Sequence, residues 1–372
     1  VTLAVSDEQE ELRRSVRRLL TDRASTADVR RVMETDEGHD PSVWALMADQ
    51  LGLPAIALPE EYGGLGFGVA ELSIVLEELG GALSPEPFLS SIALAARTLA
   101  LSGDTEAAAR WLPGLADGTR TAAFAVSEPG RDWTLEQSTT RFDGTGLTGV
   151  KTFVIDGERA DLLLVTAATD EGPGLFVVEP DATVERTRLG VLDPTRRQAR
   201  ITFDATPALR VDTAPSRLRQ ALDLGVIAVA AEQVGVAQAC LDLTVEYAKV
   251  RTQFGRPIGS FQAIKHKCAD LVLELEAARS AQQHATVLAD GGADTDPADL
   301  AAAAAVCGSW CGEVAVHVAK EAIQIHGGVG YTWEHDAHLY LKRAKSTELL
   351  FGTPAAHRAR LADLLGIGGG AR

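Results

Sequence analysis

Apolar positions along the chain change period twice. From residue 1 to about 120 they recur at helical spacing. In Ala70–Leu79 (AELSIVLEEL), Leu72, Val75, Leu76 and Leu79 fall on one stripe, and the glycine-rich LPEEYGGLG (Leu58–Gly66) forms a turn just ahead of it. From about 121 to 213 the pattern shortens to strand-length runs, TAAFAV, VKTFVI, ADLLLV, GLFVV and ARITF, separated by Gly, Pro and Asp punctuation such as GTG, EGPG and EPD. From about 214 long helical periods return. Ala214–Val250 and Phe261–Asp290 are joined by TQFGRPIGS, and GGADTDPAD precedes an alanine-rich helix, 299–325, that stops at HGGVG, where glycine supplies a left-handed cap. The terminal GIGGGAR is expected to fray. The order predicts an α+β protein: an all-helical domain over 1–120, an antiparallel β-barrel-like domain over 121–213, and a helical domain of four-helix-bundle type over 214–372.

Composition adds exclusions. The 372 residues are 46% hydrophobic and 23% charged, ordinary for a globular chain. A net charge of −17 disfavours nucleic acid and anionic membrane surfaces, both of which need clustered Lys and Arg. A polyanionic ligand requires local basic groups working against that field. The run Leu224–Ala231 stops at Glu232, and no stretch is expected to reach the apolar length that spans a bilayer. SDEQEELRRSVRRLL reads as an acidic helix and not a secretory signal. Cys240, Cys268, Cys307 and Cys311 lie in helical patterns without zinc spacing, which fits reduced thiols and a cytoplasmic location.

Two motifs have simple structural readings. Gly144–Gly149 (GTGLTG) matches a dinucleotide fingerprint in letters, but strand-like runs flank it on both sides, so a hairpin turn is expected. His335 and His338 (HDAH) lack a third ligand, and no metal site is expected.

Four segments carry the chemistry: AVSEPG (Ala125–Gly130), VKTFVIDGERADLLLV (Val150–Val165), YAKVRTQFGRPIGSFQAIKHKCAD (Tyr247–Asp270) and EAIQIHGGVGYT (Glu321–Thr332). Their order, spacing and wording resemble the acyl-CoA dehydrogenase family over nearly the whole chain. The resemblance implies FAD held between the sheet domain and the C-terminal helices, in a site completed by a neighbouring subunit. It implies that Phe124, Val126 and Ser127 line the isoalloxazine, and that Phe153 packs behind it. Arg251, Phe254 and Gln262 would reach a partner subunit's FAD, where a guanidinium can fork onto the pyrophosphate. Gln324, Gly327 and Gly328 would let backbone approach the dinucleotide. The implied reaction is α,β-dehydrogenation of an acyl-CoA thioester in a homo- or heterotetramer, with an electron-transfer flavoprotein as acceptor.

Three departures qualify that likeness. The Glu-Gly-Thr that usually carries the catalytic base reads Phe351-Gly352-Thr353, at the interval from Gly330-Tyr331-Thr332 that the family keeps. Phenylalanine accepts no proton, although its backbone N–H could still polarise a thioester carbonyl. The alternative base position of some family branches falls on Gly225, and the nearest plausible substitute is Glu232, seven residues and about 10 Å further along the same helix. Glu232 is therefore either a substitute base or a buried glutamate paired with a basic group. Finally, the flavin loop reads EPGRDW, and the threonine expected near flavin N5 falls on Ile155. Three functions stay open: the base-lacking half of an α2β2 acyl-CoA dehydrogenase, an active homotetramer using Glu232 or water, and a non-redox CoA-ester-binding scaffold.

Overall fold

The computed structural model describes residues 5–131 and 133–367. Residues 368–372 of the terminal GIGGGAR, where fraying was expected, and Asp132 of the EPGRDW loop lie outside the described residues.

Helices come first: α1 (Asp7–Arg23), α2 (Thr26–Val32), α3 (Pro41–Leu51), α4 (Val69–Gly81), a π-helical turn Leu89–Ala96 running into α5 (Arg97–Ser102), and α6 (Thr105–Ala116). Ser6 and Gln9 form a capping box that starts α1, and Asp104 caps α6. The predicted stripe on α4 is buried at Leu72, Val75, Leu76 and Leu79. Strands follow: β1 (Ala122–Ala125), β2 (Arg141–Phe142), β3 (Gly146–Ile155), β4 (Leu162–Thr169), β5 (Gly172–Val178), β6 (Val184–Arg188), β7 (Gln198–Pro207) and β8 (Leu209–Val211). The rest is helical apart from a two-residue hairpin: α7 (Pro215–Val250), β9 (Thr252–Gln253), β10 (Arg256–Pro257), α8 (Gln262–Asp290), α9 (Pro297–His326), α10 (Ala337–Thr347) and α11 (Pro354–Leu364).

Two compact units result. The helical unit gathers the segment ending at Val29, Ser73–Ser84, and the chain from Val229 onward; the mixed unit holds Arg30–Leu72 and Pro85–Ala228. The mixed unit contains one sheet of strand order β6-β7-β3-β2-β4-β5-β8, with β1 added against β4. Most pairings are antiparallel, but β1 and β2 both run parallel to β4. Alternate residues of the sheet, among them Leu163, Val165, Phe176, Ile201 and Phe203, build its core. The GTGLTG segment is a β2–β3 hairpin as expected: Asp143 Oδ1 accepts from the backbone of Thr145 and Gly146, and Gly146 already begins β3.

In the helical unit, α4 and α7 approach backbone to backbone through glycine. A Cβ on Gly235 would lie 1.9 Å from the Glu77 carbonyl oxygen, and one on Gly80 would lie 2.3 Å from that of Glu232. On α9, Cys307 and Cys311 donate their thiols to the Ala281 and Ala278 carbonyls of α8. All four cysteines are free.

One expectation fails. Windows in Pro215–Val250 and Pro297–Tyr331 are long and apolar enough to cross a membrane by length and composition. The alanine and valine that raise their hydropathy serve burial within the protein, at 83% and 61% of the two windows.

Alanine normally favours a helix over glycine by about 1 kcal/mol. At Gly235 the clash with the Glu77 carbonyl reverses that sign. Gly235→Ala is expected to lower stability by about 2 kcal/mol or more, read as a lower urea midpoint at unchanged slope.

Candidate functional site

In the mixed unit, the AVSEPG and VKTFVI motifs are stitched together. Ser127 O accepts from Thr152 N at 2.9 Å. The Lys151 ammonium, 0% exposed, donates to Val126 O at 3.0 Å and to Glu128 Oε1 at 2.8 Å. The Glu128 carboxylate also accepts from Ser138 Oγ, from Thr139 through both N and Oγ1, and from Thr140 N. Burial, resisted by the Glu128 charge, pulls Lys151 down to about 8. Burial pushes Glu128 the other way, yet Lys151 and the surrounding hydroxyls outweigh it and hold the carboxyl well below its usual range.

Two residues beyond Lys151 the strand bulges. Lys151 pairs with Ile201 and Val154 with Ala199, so Thr152 and Phe153 face a single β7 residue. Phe153 takes φ 53° there and is 48% exposed. Phe124, Val126, Ser127 and Ile155, also assigned to the flavin wall, are all buried.

The helical unit displays its candidates. The β9–β10 hairpin closes through Phe254 (φ 51°) and Gly255 (φ 78°), a turn in which both central residues are left-handed and for which Asn-Gly is the usual choice. Phe254 is thereby held out at 91% exposure, its ring nearly perpendicular to that of Phe261 at 6.1 Å between centres, while the Arg256 guanidinium lies 4.2 Å from the Phe261 ring centre. Arg251 opens this hairpin, and exposed Gln262 begins α8. Residues 249–267 carry five Lys or Arg and no acid, a local basic ribbon on a chain of net charge −17.

At the end of α9, Gln324 is exposed, and a Cβ on Gly327 or Gly328 would meet nothing within 4 Å. Gly327 has φ 63° and ψ −141°, so the expected left-handed cap is instead the mirror-extended conformation that glycine alone adopts easily. Beneath it, His326 stacks on Tyr247 (4.3 Å between ring centres) and lies against a tilted His335 (4.4 Å). Its Nδ1 is 2.6 Å from Ala322 O, and burial lowers its pKa. His338 stacks on Trp333.

The residues at the usual base position are tightly held. Phe351 is buried with φ 61°, a conformation that costs a bulky residue on the order of 1–3 kcal/mol. Gly352 follows at φ 124°. Thr353, which the resemblance places among the cofactor-binding residues, caps α11, its Oγ1 accepting from Ala356 N while its O–H keeps the capacity to donate. His357 packs against both Gly352 and Gly308, where a Cβ would come within 3.2 and 2.5 Å of its ring. Burial, helped by Arg360, pushes His357 down to about 4.

Glu232 has the paired environment that the sequence left open. Arg343 Nη1 lies 2.6 Å from its Oε1, with the two side chains 0% and 2% exposed. Nη2 of the same arginine points to the Leu83 and Ser84 carbonyls at 3.4 Å, just past the end of α4. A proton on Glu232 leaves that guanidinium uncompensated in the core. Gly225 is buried in α7.

The ribbon of Arg251, Phe254 and Gln262 and the open glycines of α9 fit a dinucleotide approached from outside the chain, since both cation and bare backbone are accessible. In the mixed unit only Phe153 of the assigned set is displayed. Sequence reasoning missed Lys151, Glu128, Tyr247, Arg343 and His357. Lys151 had left a signal: a lysine inside an apolar strand demands a partner.

Against known proteins, the acyl-CoA dehydrogenase N-terminal domain model matches residues 6–119 and the C-terminal domain model residues 216–366. The acyl-CoA dehydrogenase IpdE2 of Mycolicibacterium smegmatis is 36% identical, covering 96% of this chain and 98% of the relative. IpdE2 of Mycobacterium tuberculosis is 38% identical over 95% and 96%. Among solved structures, the Tcur3481–Tcur3483 steroid ACAD superposes with TM-score 0.90 at 35% identity, covering 98% of this chain and 99% of that one. The ChsE4–ChsE5 complex from Mycobacterium tuberculosis gives 0.89 at 29% identity, covering 99% of each. The chain belongs to the acyl-CoA dehydrogenase family.

Two outcomes follow from the buried groups. Arg343→Met strands the Glu232 carboxylate and is expected to cost about 3–5 kcal/mol, most of it recovered in the double variant with Glu232→Gln, as urea denaturation will read. His357 stays neutral in the fold down to about pH 4, whereas in the unfolded chain it charges near 6.5. The unfolded state therefore binds more protons in that window, and stability falls as pH drops from about 6.5 to 4. His357→Gln should flatten that part of the stability–pH curve.

Proposed function

We propose that this chain is the base-lacking subunit of an α2β2 FAD-dependent acyl-CoA dehydrogenase, acting on a bulky, steroid-type acyl-CoA. The observation that carries the reading is Phe351: the position that should remove the α-proton holds a buried hydrocarbon ring on a strained backbone, and Glu232 is tied to Arg343. The steroid class is taken from the likeness to the steroid ACAD, and the paired assembly from the likeness to the ChsE4–ChsE5 complex.

FAD, when bound, accepts the β-hydrogen of the acyl group as hydride. Arg251 would hold its pyrophosphate, Gln262 and Gln324 would face its polar groups, and Gly327 and Gly328 would let backbone N–H groups approach it. Phe254, held clear of its own chain, inserts against the neighbouring subunit. The Phe351 backbone N–H keeps the capacity to polarise a thioester carbonyl, and the partner subunit supplies the carboxylate. An electron-transfer flavoprotein serves as acceptor, and the complex works in the cytoplasm.

Expression alone, and then with a glutamate-bearing family member encoded beside it, tests this. The isolated chain is expected to oxidise no acyl-CoA, and the pair to exceed it by at least about a hundred-fold, the usual worth of a general base. Robust turnover by the isolated chain overturns the reading. Within the active pair, Arg251→Ala on this chain should weaken flavin retention about tenfold or more, the scale of a charged hydrogen bond lost.

A further inference from the structure

Lys151 is among the largest fully buried side chains of the molecule, and a lysine is seldom placed so. Desolvating an ammonium costs several kcal/mol, repaid only where its partners are well placed. Here they are. Nζ reaches the Glu128 carboxylate at 2.8 Å and the Val126 carbonyl at 3.0 Å, with Thr166 Oγ1 at 3.3 Å. Glu128 in turn gathers the 138–140 segment through Ser138, Thr139 and Thr140. Alongside the Thr152 N–Ser127 O bond, the pair therefore joins three pieces of the mixed unit: the end of β1, the middle of β3 just before the Phe153 bulge, and the segment leading into β2.

A purely structural role could be filled more cheaply by apolar side chains of like volume. What the pair adds is direction. One ammonium fixes the orientation of the Val126 peptide, whose neighbours Ser127 and Phe124 are assigned to the flavin edge, and the same strand then turns out Phe153.

We propose that Lys151, with Glu128, is a positioning residue for flavin: it sets the Val126–Ser127 peptides and the Phe153 bulge in the geometry that meets the isoalloxazine. This rests on the flavin reading above. Lys151 touches no cofactor atom itself and acts through the Val126 carbonyl. Its depressed pKa of about 8 makes the arrangement sensitive to mild alkali, because a neutral amine leaves Glu128 charged and the Val126 peptide less firmly held.

The test is hydrogen exchange across residues 124–128, with and without added FAD, on the complex formed with a glutamate-bearing family member. In the wild type, FAD is expected to slow exchange in this segment at pH 7, and the slowing to shrink between pH 7 and 9 after correction for intrinsic rates. Lys151→Met should lose most of the FAD-dependent slowing at every pH, while β4 and β5 stay protected. If Lys151→Met does not fold, Glu128→Gln replaces it, since its amide oxygen still accepts from the 138–140 segment. FAD-dependent slowing equal to wild type in a folded variant overturns the positioning role alone. Absence of any FAD effect at 124–128 in the wild type overturns the flavin assignment of this segment, and the proposal with it.

Discussion

Backbone held against its preference is the constraint on which the site depends. Phe153, Phe254 and Phe351 take φ values of 53°, 51° and 61°, a region bulky side chains avoid, and each lies in a segment assigned to ligand or chemistry. Each is held by a different device. A bulge two residues after the buried Lys151 turns Phe153 out; a two-residue hairpin closed by Gly255 presents Phe254; and buried Phe351 is followed by Gly352, which lies against the His357 ring. Two of the rings are displayed and one is buried. That division supports the proposed reading, in which displayed rings face a neighbour and the base position is closed.

Each unit also carries a buried ion pair. Lys151–Glu128 sits in the mixed unit and Glu232–Arg343 in the helical unit, each almost wholly out of water. Breaking either leaves an unpaired ion, so these pairs tolerate no gradual loosening. Arg343 also faces carbonyls past the end of α4, so one guanidinium serves both α7 and a helix terminus.

The sequence made the element boundaries legible where period and punctuation agree. The expected helix Ala214–Val250 is Pro215–Val250, and the expected 299–325 helix is Pro297–His326. The shared motifs made the family legible. Partnerships across distance were not. Glu232 meets an arginine 111 residues on, and β1 and β2 run parallel to β4, because side-chain pairing and strand direction are decided by packing and leave no local pattern. The membrane-length windows in α7 and α9 are hidden by single charges such as Glu232, because hydropathy averages over a whole long helix. Phe351 is the instructive case: the substitution was plain in the letters, while its strained, buried conformation was not.

The central claim of the proposed reading is that neither Phe351 nor the Arg343-paired Glu232 removes an acyl α-proton. Incorporation of deuterium at the α-carbon of a saturated acyl-CoA in heavy water, followed by mass spectrometry, addresses it without requiring complete turnover. The account predicts exchange at the buffer rate with the chain alone and accelerated exchange once the glutamate-bearing partner is present. Accelerated exchange by the chain alone, abolished by Glu232→Gln, contradicts it.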